Sequence, residues 1–91
     1  MEILLVEDNE ILAKGIIYSL EQEKFKVIHK TNVKETIKFL QNEKPKLVIL
    51  DISLPDGSGF DLYEKNIKDK NIPTIFLTAK DDEDDIVKGL E

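Results

Sequence analysis

The sequence predicts an α/β fold in which a parallel sheet is covered by helices on both faces, a doubly wound arrangement. Three observations predict it: short continuous runs of apolar, β-forming residues, intervening stretches with apolar residues every three or four positions, and regular alternation of the two along 91 residues. Runs of four apolar residues are too short for helices and read as strands buried on both sides. Strands of that kind pair in parallel and need helical crossovers between them.

Ile3-Leu4-Leu5-Val6 is the first run and belongs at the centre of the sheet. Leu12, Ile16 and Leu20 follow at four-residue spacing, which places them on one face of a helix. Phe25 to His29 alternates partly with lysine, as expected of a half-exposed edge strand. Asn32 and Glu35 then stand at the spacing of a reciprocal helix cap, ahead of Val33, Ile37 and Leu40 on one helical face, with Pro45 closing the segment. Leu47-Val48-Ile49-Leu50 is the second buried run. Phe60, Tyr63 and Ile67 mark a third helix, and Pro73 suits the start of a fourth strand, Thr74-Ile75-Phe76-Leu77. Ile86, Val87 and Leu90 mark a fourth helix opening in the charged run Lys80 to Asp85, whose acids suit a positive helix end. The expectation is one domain over residues 1–91, four strands alternating with four helices, with Tyr18, Phe39 and Tyr63 serving packing.

Composition narrows the function. Nineteen acidic against thirteen basic residues give a net charge of −6, which opposes approach to phosphate backbones and anionic lipid, so direct nucleic-acid or membrane binding by these residues is not expected. No apolar run approaches the roughly 18 residues of a membrane span, and Met1-Glu2-Ile3 lacks the basic start of a signal peptide. The expected location is cytoplasmic. The absence of cysteine removes thiolate and disulfide chemistry.

In open parallel sheets, ligands bind beyond the carboxyl ends of the strands. Here the first strand ends in Glu7-Asp8, the third in Asp51 and the fourth in Thr78. Each is ordinary alone: Asp8 as a helix cap, Asp51 as a strand terminus, Thr78 as a β-former. If the first and third strands are neighbours these groups converge on one patch, and carboxylates about 4 Å apart repel by roughly 4 kcal/mol at an effective dielectric near 20. A hard cation such as Mg²⁺, commonly held by one or two carboxylates and a phosphate, makes that cluster tolerable. It also lowers the repulsion between an incoming phosphoryl group and a carboxylate nucleophile. His29, the only histidine, is expected to lie away from these acids. Gly57 and Gly59 are expected to shape a turn, since neither a G-x-G-x-x-G fingerprint nor a P-loop follows the first strand. Val6-Glu7-Asp8-Asn9 also supplies neither the D-x-D of a phosphohydrolase nor a hydroxyl-rich flavin-phosphate loop.

Ile3 to Asp8, Leu47 to Gly59, Pro73 to Ala79 and the acidic helix start after it, in that order, resemble the receiver domains of two-component response regulators. The most specific piece is Asp51-Ile52-Ser53-Leu54-Pro55-Asp56-Gly57-Ser58-Gly59. The resemblance spans essentially the whole chain and implies a flavodoxin-like receiver fold with strand order 2-1-3-4-5. The chain stops before the family's fifth strand and last helix. It implies a signalling domain, not a turnover enzyme, that catalyses its own aspartyl phosphorylation and dephosphorylation. Asp51 would be the phosphoacceptor, and Mg²⁺ would bind Asp8, Asp51 and the backbone carbonyl of Ser53, with Glu7 acting through metal-bound water. Thr78 would contact the phosphoryl group and act as the switch, and the backbone amide of Ala79 would face the same group. The partners implied are a sensor histidine kinase and a C-terminal output domain absent from this chain, DNA-binding by analogy, so that the full protein is a transcriptional regulator. The family's phosphoryl-pairing lysine lies beyond Glu91, and Lys80 and Lys88, from other elements, do not take its role. An uncovered fourth strand is expected to promote self-association through its edge.

Overall fold

The computed structural model describes residues 1–77. The chain runs through β1 (Glu2–Val6), α1 (Glu10–Gln22), β2 (Lys26–Lys30), α2 (Val33–Leu40), β3 (Leu47–Asp51), a small hairpin of β4 (Ser53–Leu54) and β5 (Gly57–Ser58), α3 (Gly59–Leu62) and, after further helical turns, β6 (Thr74–Leu77). The expected fourth helix lies outside the described residues. Strands β2, β1, β3 and β6 form one parallel sheet in that order, as the resemblance to receiver domains implies. The register Leu5↔Ile49 and Val6↔Leu50 brings the ends of β1 and β3 out side by side.

Alternate residues of the central strands enter two separate cores. Leu4, Val6, Val48 and Leu50 pack with Leu40, Leu54, Leu62, Ile67 and Ile72 on one face, whereas Ile3, Leu5 and Ile49 pack with Ala13 on the other. Each of the larger apolar side chains so buried contributes about 1.5 to 3 kcal/mol, which explains why both central strands read as unbroken apolar runs. β2 carries no fully buried residue, in keeping with its edge position.

The helices depart from their sequence patterns in instructive ways. In α1 the core face is Ala13, Ile16, Ile17 and Leu20, while Leu12, expected inside, is exposed. Small Ala13 is fully buried with Ile3, Leu5 and Ile49 of the sheet, and this sets the phase of the face. The third helical segment is not one α-helix: four α-helical residues pass into a π-turn at Tyr63–Ile67 and a 3₁₀ turn at Lys68–Lys70. Leu62 and Ile67, five residues apart, are both buried, and the wider i→i+5 winding lets both face the core. Phe60 is consequently about half exposed and lies against Phe76 of β6, ring centroids 4.9 Å apart, while Tyr63 meets the same ring edge-on at 5.4 Å.

α1 ends in a hydrogen-bonding pattern that favours glycine at its left-handed position. Phe25 N–H donates to Leu20 O and Lys24 N–H to Glu21 O, with Lys24 at φ 72°. A non-glycine residue there carries a backbone penalty of roughly 1 to 2 kcal/mol, part of which glycine gives back as lost unfolded-state entropy. Lys24→Gly should therefore stabilise the fold by about 0.5 to 1 kcal/mol, read as a higher urea midpoint with an unchanged slope. A lower midpoint would contradict the argument.

Candidate functional site

Because β1 and β3 are paired and in register, the residues just past Val6 and Leu50 emerge together at the carboxyl edge of the sheet. Carboxylate oxygens of Glu7, Asp8 and Asp51 all lie within 4.8 Å of one another. The three acids expected to converge do so. Leu77 pairs with Asp51 at the end of β6; Thr78 and Ala79, the other two expected site residues, lie outside the described residues.

The three acids sit in different surroundings. Glu7 is fully buried; its Oε2 accepts from the Asn9 amide at 2.9 Å and its Oε1 has no hydrogen-bond partner among the described residues. Asp8 is exposed and is not a helix cap: Asn9 caps α1, its Oδ1 accepting from Ile11 and Leu12 N–H at 3.0 and 3.1 Å. Asp51 is buried, and its Oδ1 accepts from Ser53 N–H at 3.2 Å. Burial, reinforced by the Glu7 charge and by the nearness of the Glu7 and Asp8 carboxyls, pushes the Asp51 carboxyl up from 3.8 to about 7, against the lowering effect of the Ser53 amide.

A buried carboxylate oxygen with no partner costs on the order of several kcal/mol unless a proton or cation meets it. Glu7 Oε1, beside two more carboxylates, is such an orphan, and the all-oxygen donor set is that of a hard divalent cation. The residues present therefore fit magnesium. Ser53, whose carbonyl was expected among the ligands, follows Asp51 by two residues and is exposed, bridged to Ser58 across the hairpin.

The segment after Asp51 is not a free loop. β4 and β5 form a two-stranded bridge, and Gly59 N–H donates to Ile52 O at 2.7 Å. Gly59 is needed for close approach and not for a positive φ: a Cβ there would overlap the Asp51 carbonyl oxygen and stand 2.9 Å from Ile52 Cα. At the hairpin tip, Asp56 Oδ1 accepts from Val33 N–H at 2.7 Å and Oδ2 from Lys34 N–H at 3.0 Å. These two amides hold the Asp56 carboxyl below its usual range. The start of α2 is thus capped from two sides, since Asn32 Oδ1 also accepts from Glu35 N–H at 2.8 Å. Of the reciprocal cap expected from Asn32 and Glu35, the Asn32 half is present, and a residue from another element satisfies the other amides.

The expectation that His29 lies away from the acids is corrected. β2 ends beside β1, and His29 Nε2 lies 2.8 Å from the Glu7 carbonyl oxygen. The cap falls on Asn9 and not on Asp8, and nothing local in the sequence marks the reach of Asp56 or His29. No helix among the described residues is long and apolar enough to cross a membrane.

The family described as response regulator receiver domain matches residues 3–91. The chain is 37% identical over 91 residues to the alkaline phosphatase synthesis transcriptional regulatory protein PhoP of Bacillus subtilis, a match covering 99% of this chain and 38% of PhoP. It is similar in structure to the non-phosphorylated receiver domain of HemR from Leptospira biflexa, with TM-score 0.79 and 39% identity over 97% of this chain and 72% of that one. TrrA of Thermotoga maritima, solved in complex with Mg²⁺ and a beryllium fluoride, matches with TM-score 0.78 and 31% identity over 88% of this chain and 70% of that one. The chain spans 38% to 41% of the length of the curated relatives it matches.

Proposed function

The chain belongs to the response regulator receiver-domain family, and from that premise we propose that it accepts a phosphoryl group on Asp51 from a histidine kinase, in a reaction that needs magnesium. The observation that carries the reading is the orphaned, buried Glu7 Oε1 within the three-carboxylate cluster. Glu7, Asp8, Asp51 and the Ser53 carbonyl would hold the ion. When bound, the ion supplies positive charge that keeps Asp51 ionised and screens it from the incoming phosphoryl oxygens.

The residues of the chain do the rest. An Asp51 oxygen attacks phosphorus, the bond from phosphorus to the kinase histidine nitrogen breaks with its electrons left on the imidazole, and an acyl phosphate forms. The Ser53 amide holds Asp51 Oδ1, and Gly59 lets the following hairpin close against the Asp51 carbonyl. Thr78 would donate to a phosphoryl oxygen and act as the switch, and the Ala79 amide would face the same group. In this reading the domain catalyses its own phosphorylation and dephosphorylation without turning over a separate substrate. It works in the cytoplasm and signals to a DNA-binding output domain. The transcriptional regulators among its relatives support that output.

Incubating the chain with acetyl phosphate and Mg²⁺ should place one phosphoryl group on Asp51, detected by mass spectrometry of the borohydride-trapped peptide. Asp51→Ala should reduce labelling at least about a hundredfold, because it removes the nucleophile. Undiminished labelling of Asp51→Ala, or trapping at another residue, would overturn the assignment.

A further inference from the structure

We propose that His29 is a positioning residue of the acidic site: its Nε2–H, donated to the Glu7 main-chain carbonyl, fixes the Glu7–Asp8 peptide and so the directions of both carboxylates. The inference rests on the reading of these acids as a magnesium site.

The ladder between β1 and β2 runs in register to Val6↔Lys30, and one residue further Glu7 N–H still donates to Lys30 O at 3.0 Å. The chain beyond Lys30 then turns away, and Asn32 becomes the cap of α2. The next main-chain donor that would continue the ladder is lost just where the Glu7 carbonyl needs it. His29 takes that place from the side, at 2.8 Å. A carbonyl only accepts, so the ring nitrogen facing it carries hydrogen.

This hydrogen bond governs more than one group. The peptide unit is planar, so holding its oxygen sets ψ of Glu7 and φ of Asp8 together. Those two angles aim an enclosed carboxylate on one side and an exposed one on the other at the same point as Asp51. Glu7 is otherwise tied only through its own N–H and through Oε2 to the Asn9 amide, which leaves rotation of the Glu7–Asp8 peptide to be checked by His29 alone among the described residues. Partners that orient metal ligands commonly matter tenfold to a hundredfold for metal affinity.

The test compares His29→Gln, which presents an amide N–H at nearly the same reach, with His29→Phe, which keeps a planar ring and strand propensity but donates nothing. Mg²⁺ affinity of the full chain is measured by titration calorimetry, and hydrogen exchange of the Asp8 amide is followed without metal. His29→Phe should weaken Mg²⁺ binding roughly tenfold or more and speed exchange at Asp8, and His29→Gln should recover most of both. His29→Leu, smaller and equally without a donor, takes the place of the phenylalanine if that ring is not accommodated. Equal loss in the glutamine and donor-free variants, or affinity in the latter equal to that of the parent, would overturn the role of His29. Failure of the unaltered chain to bind Mg²⁺ would instead overturn the reading of the site itself.

Discussion

Gly59→Ala should cost roughly 3 kcal/mol and abolish most phosphoryl acceptance, although it adds only a single uncharged methyl group. The added carbon would overlap the Asp51 carbonyl oxygen and approach Ile52 Cα to 2.9 Å and Asp51 C to 3.0 Å. These are backbone atoms of a central strand and its exit, held by the Ile52–Leu77 and Gly59–Ile52 hydrogen bonds, so no side chain can swing aside. Overpacking of this kind typically costs 1 to 3 kcal/mol, and unyielding neighbours put it at the upper end. Relief requires either the hairpin to lift or Asp51 to move, and the second displaces the nucleophile. Gly57→Ala is the control: its methyl meets only the Val33 side chain, Cγ2 at 3.2 Å and Cβ at 3.9 Å, which can shift, and the position has no positive φ. Chemical denaturation and acetyl phosphate labelling of both variants decide the matter. Equal behaviour of the two would show that the close approach at Gly59 does not constrain Asp51.

Without metal, stability should fall as pH rises from near 4 to about 7. The unfolded chain releases the Asp51 proton near 3.8, whereas the folded chain keeps it until about 7, chiefly because the carboxyl is buried and then because Glu7 repels its charge. Between those values the native state binds more protons, so raising pH favours unfolding. Asp51→Asn supplies a permanently neutral group of the same shape. It should match the parent near pH 4 and exceed it by on the order of 2 kcal/mol near pH 8, a rise of several degrees in Tm. Added Mg²⁺ should recover the parent's stability at the higher pH and leave the variant nearly unmoved. Asp56 does not blur the comparison: its lowered carboxyl contributes stability that is present above 3.8 and lost only as pH falls through its lower folded value. Thermal melts of both proteins across this range, with and without Mg²⁺, test the idea. A parent that gains stability toward pH 8 without metal, relative to Asp51→Asn, would refute it.

The sheet was legible because burial on both faces leaves no room for polar residues in Ile3 to Val6 or Leu47 to Leu50, and strand order then carries Glu7, Asp8 and Asp51 to one edge. The helices were less so. A four-residue spacing cannot reveal that Ala13 and not Leu12 meets the sheet, because so small a buried residue leaves little hydropathic signal. Nor does Phe60, Tyr63, Ile67 announce a π-turn, since the buried partner of Ile67 is Leu62. The supports of the site were hidden for a different reason. His29 and Asp56 act on main-chain groups 22 and 23 residues away in sequence, and such contacts exist only once the sheet has brought those groups together.

That dependence reaches into the order in which the chain acquires its structure. α2 has only eight residues, too few to persist alone in water, and two of its four leading amides are satisfied by Asp56 at the hairpin tip. The hairpin in turn leaves directly from the end of β3. A nascent chain that has made α2's residues but not yet those of the hairpin therefore holds a helix without its clasp. The middle of this domain should be a late arrival in folding, settling only after β1 and β3 have paired and pulled the Asp56 carboxylate across to meet it.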